Sequence, residues 1–581
     1  MDQARSTGVY ILNPGGSGNG FAFYKRLESF VKTLPGVLVV WDSQTHDHCD
    51  NCISASIKQL DISKMVLIGD KPGILKPYFS QVLAELGHNG DSVSLISFKE
   101  NGIDYKDYDL ATEFVSNVFN ARKSSDNPYE GIQKVHHNTL VIGGGIAGIQ
   151  ASLEIANAGE QVYLVEKQGT IGGHMAMFDK TFPTLDCAAC ILTPKMVDVS
   201  QHPKIDLLSY SEVKSVEGRP GDFKVKILKK ARFVSEELCI GCGSCSAKCP
   251  GKAPSEFDVG TTLRKAIYIP FPQAVPNKYL IDKESCNYML SNGEKCGVCV
   301  KFCPVNDCID LHQQDEEIEV NVGNIILATG FEPFDASRIE RYGYGKYPNV
   351  LTSLELERLI NAGGPTEGKI TLRTQDKKGN WTFTKESGQP RSVALIHCIG
   401  SRDENYNKYC SRVCCMYSLK LAHLVQEKLP EANVFEYFID MRAFGKGYEE
   451  FYQRIIHEGV HLIRGKTAKI DQKDAKLVLR SEDILNDRII EQEVDMVVLA
   501  VGLEANKDAK QLADMLGIKQ SCEGWYIEKN YLSDPIATQV PNILIAGVCQ
   551  GPKDIPDTVA QASSAASRVL QSIASFSQVE S

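Results

Sequence analysis

The sequence predicts an α/β protein: two nucleotide-binding-type sheets in tandem, a cysteine-rich insert within the first, and a small parallel α/β domain ahead of both. Three observations predict it. A strand, a glycine-patterned turn and a helix follow one another from Thr139 to Ala158. Nine of the 19 cysteines crowd into residues 239–308. Four apolar runs, Gly8–Leu12, Gly36–Trp41, Met65–Gly69 and Val93–Phe98, alternate with helical patterns, the βα alternation of a parallel sheet.

Those four runs make residues 1–125 one small domain, followed by a polar linker at Lys123–Gln133. Its cysteines are Cys49 and Cys52, and two thiols do not complete an iron–sulfur cubane; His46 and His48 leave a mixed site open. The next domain is expected over 135–231, the insert over 232–315, and the resumed fold over 316–573.

At Thr139–Gly148 the chain reads TLVIGGGIAG. A buried-type strand enters Gly143-x-Gly145-x-x-Gly148, a helical pattern follows, and a second strand ends in Glu166. The first glycine permits the tight turn, the second lets the backbone approach a pyrophosphate, and the third allows close helix–strand packing. The helix N-terminus then offers unpaired N–H groups to phosphate, and Glu166 suits ribose hydroxyls. A Gly172-Gly173-His174 run soon after Glu166-Lys167, and small-residue turns at Ala328-Thr329-Gly330, Ala500–Gly502 and Ala546-Gly547, resemble the two-dinucleotide-domain flavoproteins, and that resemblance implies FAD in preference to NAD.

The first cysteine run, Cys239, Cys242, Cys245, Cys249 and Pro250, has the C-x2-C-x2-C-x3-C-P spacing of bacterial ferredoxins. The second is Cys286, Cys296, Cys299, Cys303 and Pro304. In such pairs the fourth cysteine serves the other cluster. One [4Fe-4S] set is therefore Cys239, Cys242, Cys245 and Cys303, and the other Cys286, Cys296, Cys299 and Cys249. Structural zinc would use two separated C-x2-C pairs per site, and a disulfide framework suits a small secreted chain. Cys308 reads as a spare buried thiol.

The resemblance to two-dinucleotide-domain flavoproteins implies a second glycine triplet, for NAD(P)H, near mid-chain, where the candidate strand is Ser392–His397. The strand runs instead into Cys398-Ile-Gly-Ser-Arg. Cys410, Cys414 and Cys415 then open an apolar-periodic helix over Val413–Val425, with Cys410 and Cys414 one turn apart. Four thiols gather where nucleotide phosphates would sit, which reads as a third [4Fe-4S] site; four buried free cysteines are the alternative. Cys187 and Cys190 form a C-x2-C that allows a structural or flavin-shaping role, auxiliary ligation, or a redox dithiol. Cys522 and Cys549 are expected as packed thiols.

Together these stretches, with FPTLDCAACILTPKM (Phe182–Met196), CIGSR…YCSRVCCM (Cys398–Met416) and GVCQGPKDIPDTVAQAS (Gly547–Ser563), resemble the A subunit of heterodisulfide reductase over roughly residues 135–570. The resemblance implies a thioredoxin-reductase-like, two-dinucleotide-domain flavoprotein with an inserted ferredoxin module. It implies FAD and three [4Fe-4S] clusters in an electron-transferring oxidoreductase subunit. It places Cys398, Cys410, Cys414 and Cys415 on the cluster nearest the flavin and Lys553 in a flavin-side loop. The candidate cofactor contacts are then Gly143, Gly145, Ala147, Gly148, Glu166, Lys167, Gly172, Gly173, His174, Val213, Thr329, Gly330, Gly547 and Lys553. The implied partners are heterodisulfide-reductase-like, hydrogenase or dehydrogenase subunits and ferredoxin, in a hetero-oligomer that can be built on a homodimer. In several such complexes the flavin bifurcates electrons, and bifurcation or confurcation stays open here. Two departures stand out. The first strand ends in Asn13-Pro14-Gly15-Gly16 where many members have C-x-C-G, and the chain ends without the second ferredoxin module that many members carry. Electron entry and exit are expected to differ accordingly.

Net charge is −10 with no basic block, which argues against nucleic acid. The N-terminus is polar, no apolar run reaches the roughly 20 residues of a membrane span, and cysteine-rich usage without an export signal points to a reducing cytoplasm. The rival reading, a stand-alone NAD(P)H:ferredoxin-type oxidoreductase, lacks its second glycine triplet.

Overall fold

The computed structural model describes residues 6–12, 19–34, 37–43, 50–60, 62–69, 72–86, 92–98, 108–123 and 136–580. The chain divides into two compact units, 1–130 and 131–581. His46, His48 and Cys49 lie outside the described residues, as does the Cys52 side chain.

The first unit is a four-stranded parallel sheet in the order Val37–Asp42, Ser6–Ile11, Ile62–Gly69, Val93–Ser97. Successive side chains of a strand point to opposite faces. Accordingly Val9 and Ile11 pack with Phe23, Leu27 and Val115 on one face, while Tyr10 and Leu67 pack with Trp41, Ile57 and Phe79 on the other. Helices cover both faces, so the central strand is apolar without alternation, as a buried parallel strand must be.

The second unit repeats one architecture twice. Its first sheet runs Ile543–Ile545, Asn324–Leu327, Thr139–Ile142, Val162–Glu166, Ile205–Ser209, all parallel. Val141 faces the helices Ile146–Asn157, Ala188–Gln201 and Ile555–Glu580, whereas Leu140 and Ile142 face a three-stranded antiparallel sheet through Phe223, Val225 and Val322. The second sheet runs Val350–Thr352, Met496–Val501, Ser392–Ile399, Asn433–Phe438, His461–Arg464, again parallel. Val393 and Leu395 face the helices Ser353–Ile360, Cys414–Lys428 and Tyr448–His457, while Ala394 and Ile396 face a second antiparallel three-stranded sheet through Ile470, Leu477 and Val494. The last helix continues to Glu580, beyond the expected end at 573, since Ala574–Glu580 contains no helix breaker.

The insert leaves the strand Asp222–Lys229 and returns at Glu316–Val322, its antiparallel neighbour in the same ladder. It consists of short helices, Ser244–Lys248, Asn287–Leu290 and Val298–Phe302, and two small hairpins. Two buried arginines tie it down. Arg232 donates to Gly169 O at 3.3 Å and to Ser209 Oγ at 3.0 Å. Arg358 donates to Asp258 Oδ1 and to Met177 O, each at 3.1 Å, and stacks on Phe257. The segment 365–390 carries an antiparallel pair, Thr374–Gln375 with Trp381–Thr382.

Candidate functional site

The glycine turn behaves as steric logic requires. Gly143 has φ +110°, and a Cβ there would lie 2.4 Å from Ala328 O. A Cβ on Gly148 would lie 1.9 Å from Gly143 O, so the helix can approach the strand only with glycine. A Cβ on Gly145 would meet nothing within 4 Å. That open side is the wall of a cavity of about 490 Å³, which Gly145, Ile146 and Ala147 also line. The first-turn N–H groups of the helix Ile146–Asn157 stand at this wall.

Glu166 lies at the same wall, its carboxylate accepting N–H from Gly144 and Gln168, each at 2.7 Å. Burial pushes its carboxyl up. Lys167, Gly172, Gly173, His174, Thr329, Gly330 and Lys553 also line the cavity. His174 stacks on Phe331 at 4.3 Å, and burial lowers its imidazole to about 4. Lys553 donates to Gly547 O at 2.7 Å, and burial lowers its ammonium to about 8. Gly547 and Gly148 back the wall instead of lining it: a Cβ on Gly547 would lie 2.9 Å from Ala147 Cβ. Val213 lines an adjoining 150 Å³ cavity that shares Gly143, Glu166, Lys167 and Thr329.

Several wall residues carried no local signal in the sequence. Phe257, Arg264, Tyr268 and Phe271 come from the insert; the two phenylalanines stack at 4.4 Å and Arg264 lies over Tyr268 at 3.9 Å. Glu357 and Lys420 come from the second half. They form a buried ion pair; Lys420 also donates to Lys180 O at 3.0 Å, and Glu357 accepts from Asp179 N at 3.1 Å. They are 63 residues apart, and only the fold brings them together.

In the insert, Cys239, Cys242, Cys245 and Cys303 surround one narrow cavity, joined by Cys308. Cys249, Cys286, Cys296 and Cys299 surround a second. Burial pushes Cys245 up to about 12 and Cys299 up to about 11. Burial, with Cys303 and Cys239 beside it, also pushes Cys308 up to about 12. Among the described residues no three or more His, Cys, Asp or Glu side chains close in on a single ion. A ring of thiols around a cavity suits a cluster better than one zinc ion.

The thiols of the second half are built differently. Cys398 is the penultimate residue of the strand Ser392–Ile399, with φ +58°, where the register slips between Ile396 and Ile399. This turns Cys398 out of the ladder. Cys414 and Cys415 are buried at the start of the helix Cys414–Lys428. Cys410 corrects the sequence reading: it precedes the helix and shares no helical face with Cys414. Arg412, at φ +57°, breaks the chain direction between them and donates its N–H to Cys410 Sγ at 3.4 Å. A hydrogen bond from Cys414, with His397 beside it, lowers Cys415 to about 4. Cys414 likewise lowers Cys398 to about 7, aided by His397 and Arg402. The charged neighbour His397 was not singled out by any spacing.

Cys187 caps the helix Ala188–Gln201, its sulfur accepting the Cys190 N–H at 3.2 Å, and both thiols are exposed. Cys549 is buried between Leu327 O and Ala546 O. Cys522, expected to be packed, is exposed, because it sits on the turn Ser521–Gly524. No described helix is long and apolar enough to cross a membrane.

Known proteins match this arrangement. The FAD dependent oxidoreductase family matches residues 138–179, and the 4Fe-4S binding domain family matches 233–255. The chain is 42% identical over 572 residues to the A subunit of the H(2):CoB-CoM heterodisulfide,ferredoxin reductase of Methanothermobacter marburgensis, covering 97% of this chain and 84% of that protein. It is 43% identical over 574 residues to the iron-sulfur A subunit of the CoB–CoM heterodisulfide reductase of Methanocaldococcus jannaschii, with 97% and 84% covered. It is 39% identical over 604 residues to a protein of Archaeoglobus profundus described as like the heterodisulfide reductase A subunit, with 98% and 86% covered. Thioredoxin reductase from Lactococcus lactis superposes with a TM-score of 0.41 at 14% identity, over 75% of this chain and 99% of that one. FAD and at least one [4Fe-4S] cluster follow from the family matches. With relatives this similar over nearly its whole length, the chain belongs to the family of heterodisulfide reductase A subunits, as an FAD and iron–sulfur component of an oxidoreductase complex.

Proposed function

We propose that the chain relays electrons between FAD in the 490 Å³ cavity, three [4Fe-4S] clusters and separate redox subunits. One observation carries this reading. The cavity is walled on one side by Phe257 and Tyr268 of the insert and on another by Val413 and Tyr417, which flank Cys414 and Cys415 in sequence. A cofactor in the cavity is bordered by both thiol regions.

FAD, when bound, supplies the exchange between two-electron and one-electron transfer. The residues do the rest. Gly145 and the first turn of Ile146–Asn157 take the pyrophosphate, and Glu166 takes ribose hydroxyls. Lys553 holds a proton beside the loop Gly547–Gly551. The thiol sets are the eight insert cysteines and the quartet Cys398, Cys410, Cys414 and Cys415. The domain limits read from the sequence, with an insert over 232–315, belong to the same proposal.

The partners fitting this role are the kinds of protein in the relatives' names: a hydrogen- or formate-linked oxidoreductase, ferredoxin, and a heterodisulfide-reducing pair. The strand end at Cys398 replaces a nicotinamide phosphate turn, so the chain should not act alone on NADH or NADPH. Anaerobic protein should hold one FAD and about twelve irons, from three cubanes of four. About eight irons would remove the Cys398 site, and bleaching of the flavin by NADPH would revive a stand-alone reductase. Replacing residues 232–315 with a short linker should abolish transfer to the partner complex; undiminished transfer would show another route.

A further inference from the structure

The second sheet is parallel, so its carboxyl ends fall on one side of the molecule, and a cationic surface gathers there. Arg402 follows the strand Ser392–Ile399, Arg442 follows Asn433–Phe438, and Arg464 closes His461–Arg464 with Lys466 just beyond. Two carboxylates hold five cations. Asp440 pairs with Arg402 at 2.8 Å, Arg442 at 3.1 Å and Arg464 at 3.9 Å. Asp403 pairs with Arg341 at 3.4 Å and Lys466 at 3.5 Å. Five cations against two carboxylates leave a surplus of three positive charges, on a chain whose net charge is −10. Arg442, Arg464 and Lys466 are about half exposed. Ion pairs this open to water add little to stability, so folding does not account for the cluster.

This surface touches the Cys398 thiol set at three points. Cys415 Sγ lies 3.6 Å from Asp440 O. Arg412 donates its backbone N–H to Cys410 Sγ, and its guanidinium lies 5.1 Å from the ring of Phe444, an exposed aromatic. Cys398 shares a small cavity with Arg341 and Lys466. Arginine beside an exposed aromatic is the composition of a protein-binding surface. Ligands of parallel sheets bind outside the carboxyl ends of the strands, which makes a nucleotide phosphate the competing occupant. The cavity at Cys398 is only about 10 Å³, far too small for a nucleotide, and the cations are spread over an open face. That form suits the carboxylates of another protein.

We propose that the face formed by Arg402, Arg442, Arg464, Lys466 and Phe444 docks a small acidic iron–sulfur protein and passes single electrons between it and the cluster at Cys398, Cys410, Cys414 and Cys415. The inference rests on the reading of those four thiols as a cluster site. A carrier seated by its carboxylates on these cations lies directly over three of the four thiols. In the direction of reduction, the carrier's centre loses one electron and the cluster gains it, with no bond made or broken and no proton moved. Charge attraction of this kind acts on the encounter and is weakened by salt.

The test uses the full chain, anaerobically, with an acidic two-cubane bacterial ferredoxin as probe. Binding of the oxidised probe is measured by titration calorimetry at low and high salt. Arg442→Glu/Arg464→Glu should weaken binding about tenfold at low salt, and the difference should vanish at high salt. In stopped-flow mixing, reduction by the ferredoxin of the centre whose resonance signal is lost in Cys414→Ala should slow by a similar factor. Reduced methyl viologen, a cation, should react no more slowly with the variant. Arg442→Gln/Arg464→Gln should give smaller changes of the same sign, and iron should stay near twelve. Absence of binding to the unsubstituted chain at low salt would overturn the inference, as would equal affinity in both variants. If the glutamate pair loses its cluster, an unmoved affinity in the glutamine pair would overturn it equally. Binding of NADPH that both variants lose would reassign the face to a nucleotide. About eight irons in the unsubstituted chain would remove the cluster itself, a failure of the underlying reading that the iron count alone identifies.

Discussion

The insert and the Cys398 region gather thiols by opposite means. In the insert they come from two short runs, and burial holds Cys245 and Cys299 high, at about 12 and 11. At the end of the second sheet they come from a strand terminus, a loop and a helix start, and polar neighbours hold Cys415 at about 4 and Cys398 at about 7. The first set comes from two local runs, and the second is assembled by the fold. A compact run of cysteines needs little help from its surroundings to form a site. A dispersed set depends on a sheet and a register slip to bring its members together.

The largest expected effect separates the two regions outright. Cys414→Ala should remove about four irons and one resonance signal, leaving the insert's signals and FAD in place. Cys299→Ala should remove a different signal and spare the Cys398 set. Loss of the same signal in both variants would show that the two regions do not hold separate clusters.

A smaller effect tests how the insert is anchored. Arg358 is buried and reaches from the second half to Asp258 in the insert and Met177 O in the first half. Arg358→Met removes the cationic partner of Asp258, whose other oxygen keeps its hydrogen bond from Thr262, and should cost about 3 kcal/mol. It should also expose the insert to limited proteolysis while Cys414-dependent resonance is kept. An unchanged denaturation midpoint and cleavage pattern would mean that the insert stands without this anchor.

The smallest effect lies in the cavity between them. His174 is neutral in the folded chain down to about pH 4, whereas its ordinary value is 6.5. Between these limits the unfolded chain binds the extra proton. The stability tied to the neutral ring is therefore complete above pH 6.5 and lost as pH falls towards 4. His174→Phe keeps the stack on Phe331 and should remove part of that acid slope, on the order of 1–2 kcal/mol. Identical slopes by urea titration would assign the acid sensitivity to other groups.

How much of this was legible beforehand follows the same division. The Gly143–Gly148 turn reads from sequence because each glycine answers a constraint set within ten residues or by the adjacent strand. Cys303 could be assigned to the first ferredoxin run because the crossover is a property of the paired spacing. Cys410 misled, since i and i+4 cysteines suggest one helical face and only the left-handed Arg412 shows that the helix has not begun. Lys420 with Glu357, and His397 with Glu436, are contacts between distant segments and leave no periodic trace. Phe257 and Phe271 looked like ordinary apolar residues of the insert until the fold turned them towards the cavity.

That last feature bears on how the protein matures. Part of the cavity wall, Phe257, Arg264, Tyr268 and Phe271, belongs to the same segment that closes around the insert's two thiol rings. A newly made chain whose insert has not yet closed presents a trough with one side missing. If the insert closes only around its clusters, iron delivery and flavin capture are linked steps, and protein purified from iron-starved cells is expected to carry less FAD per chain than protein from iron-replete cells.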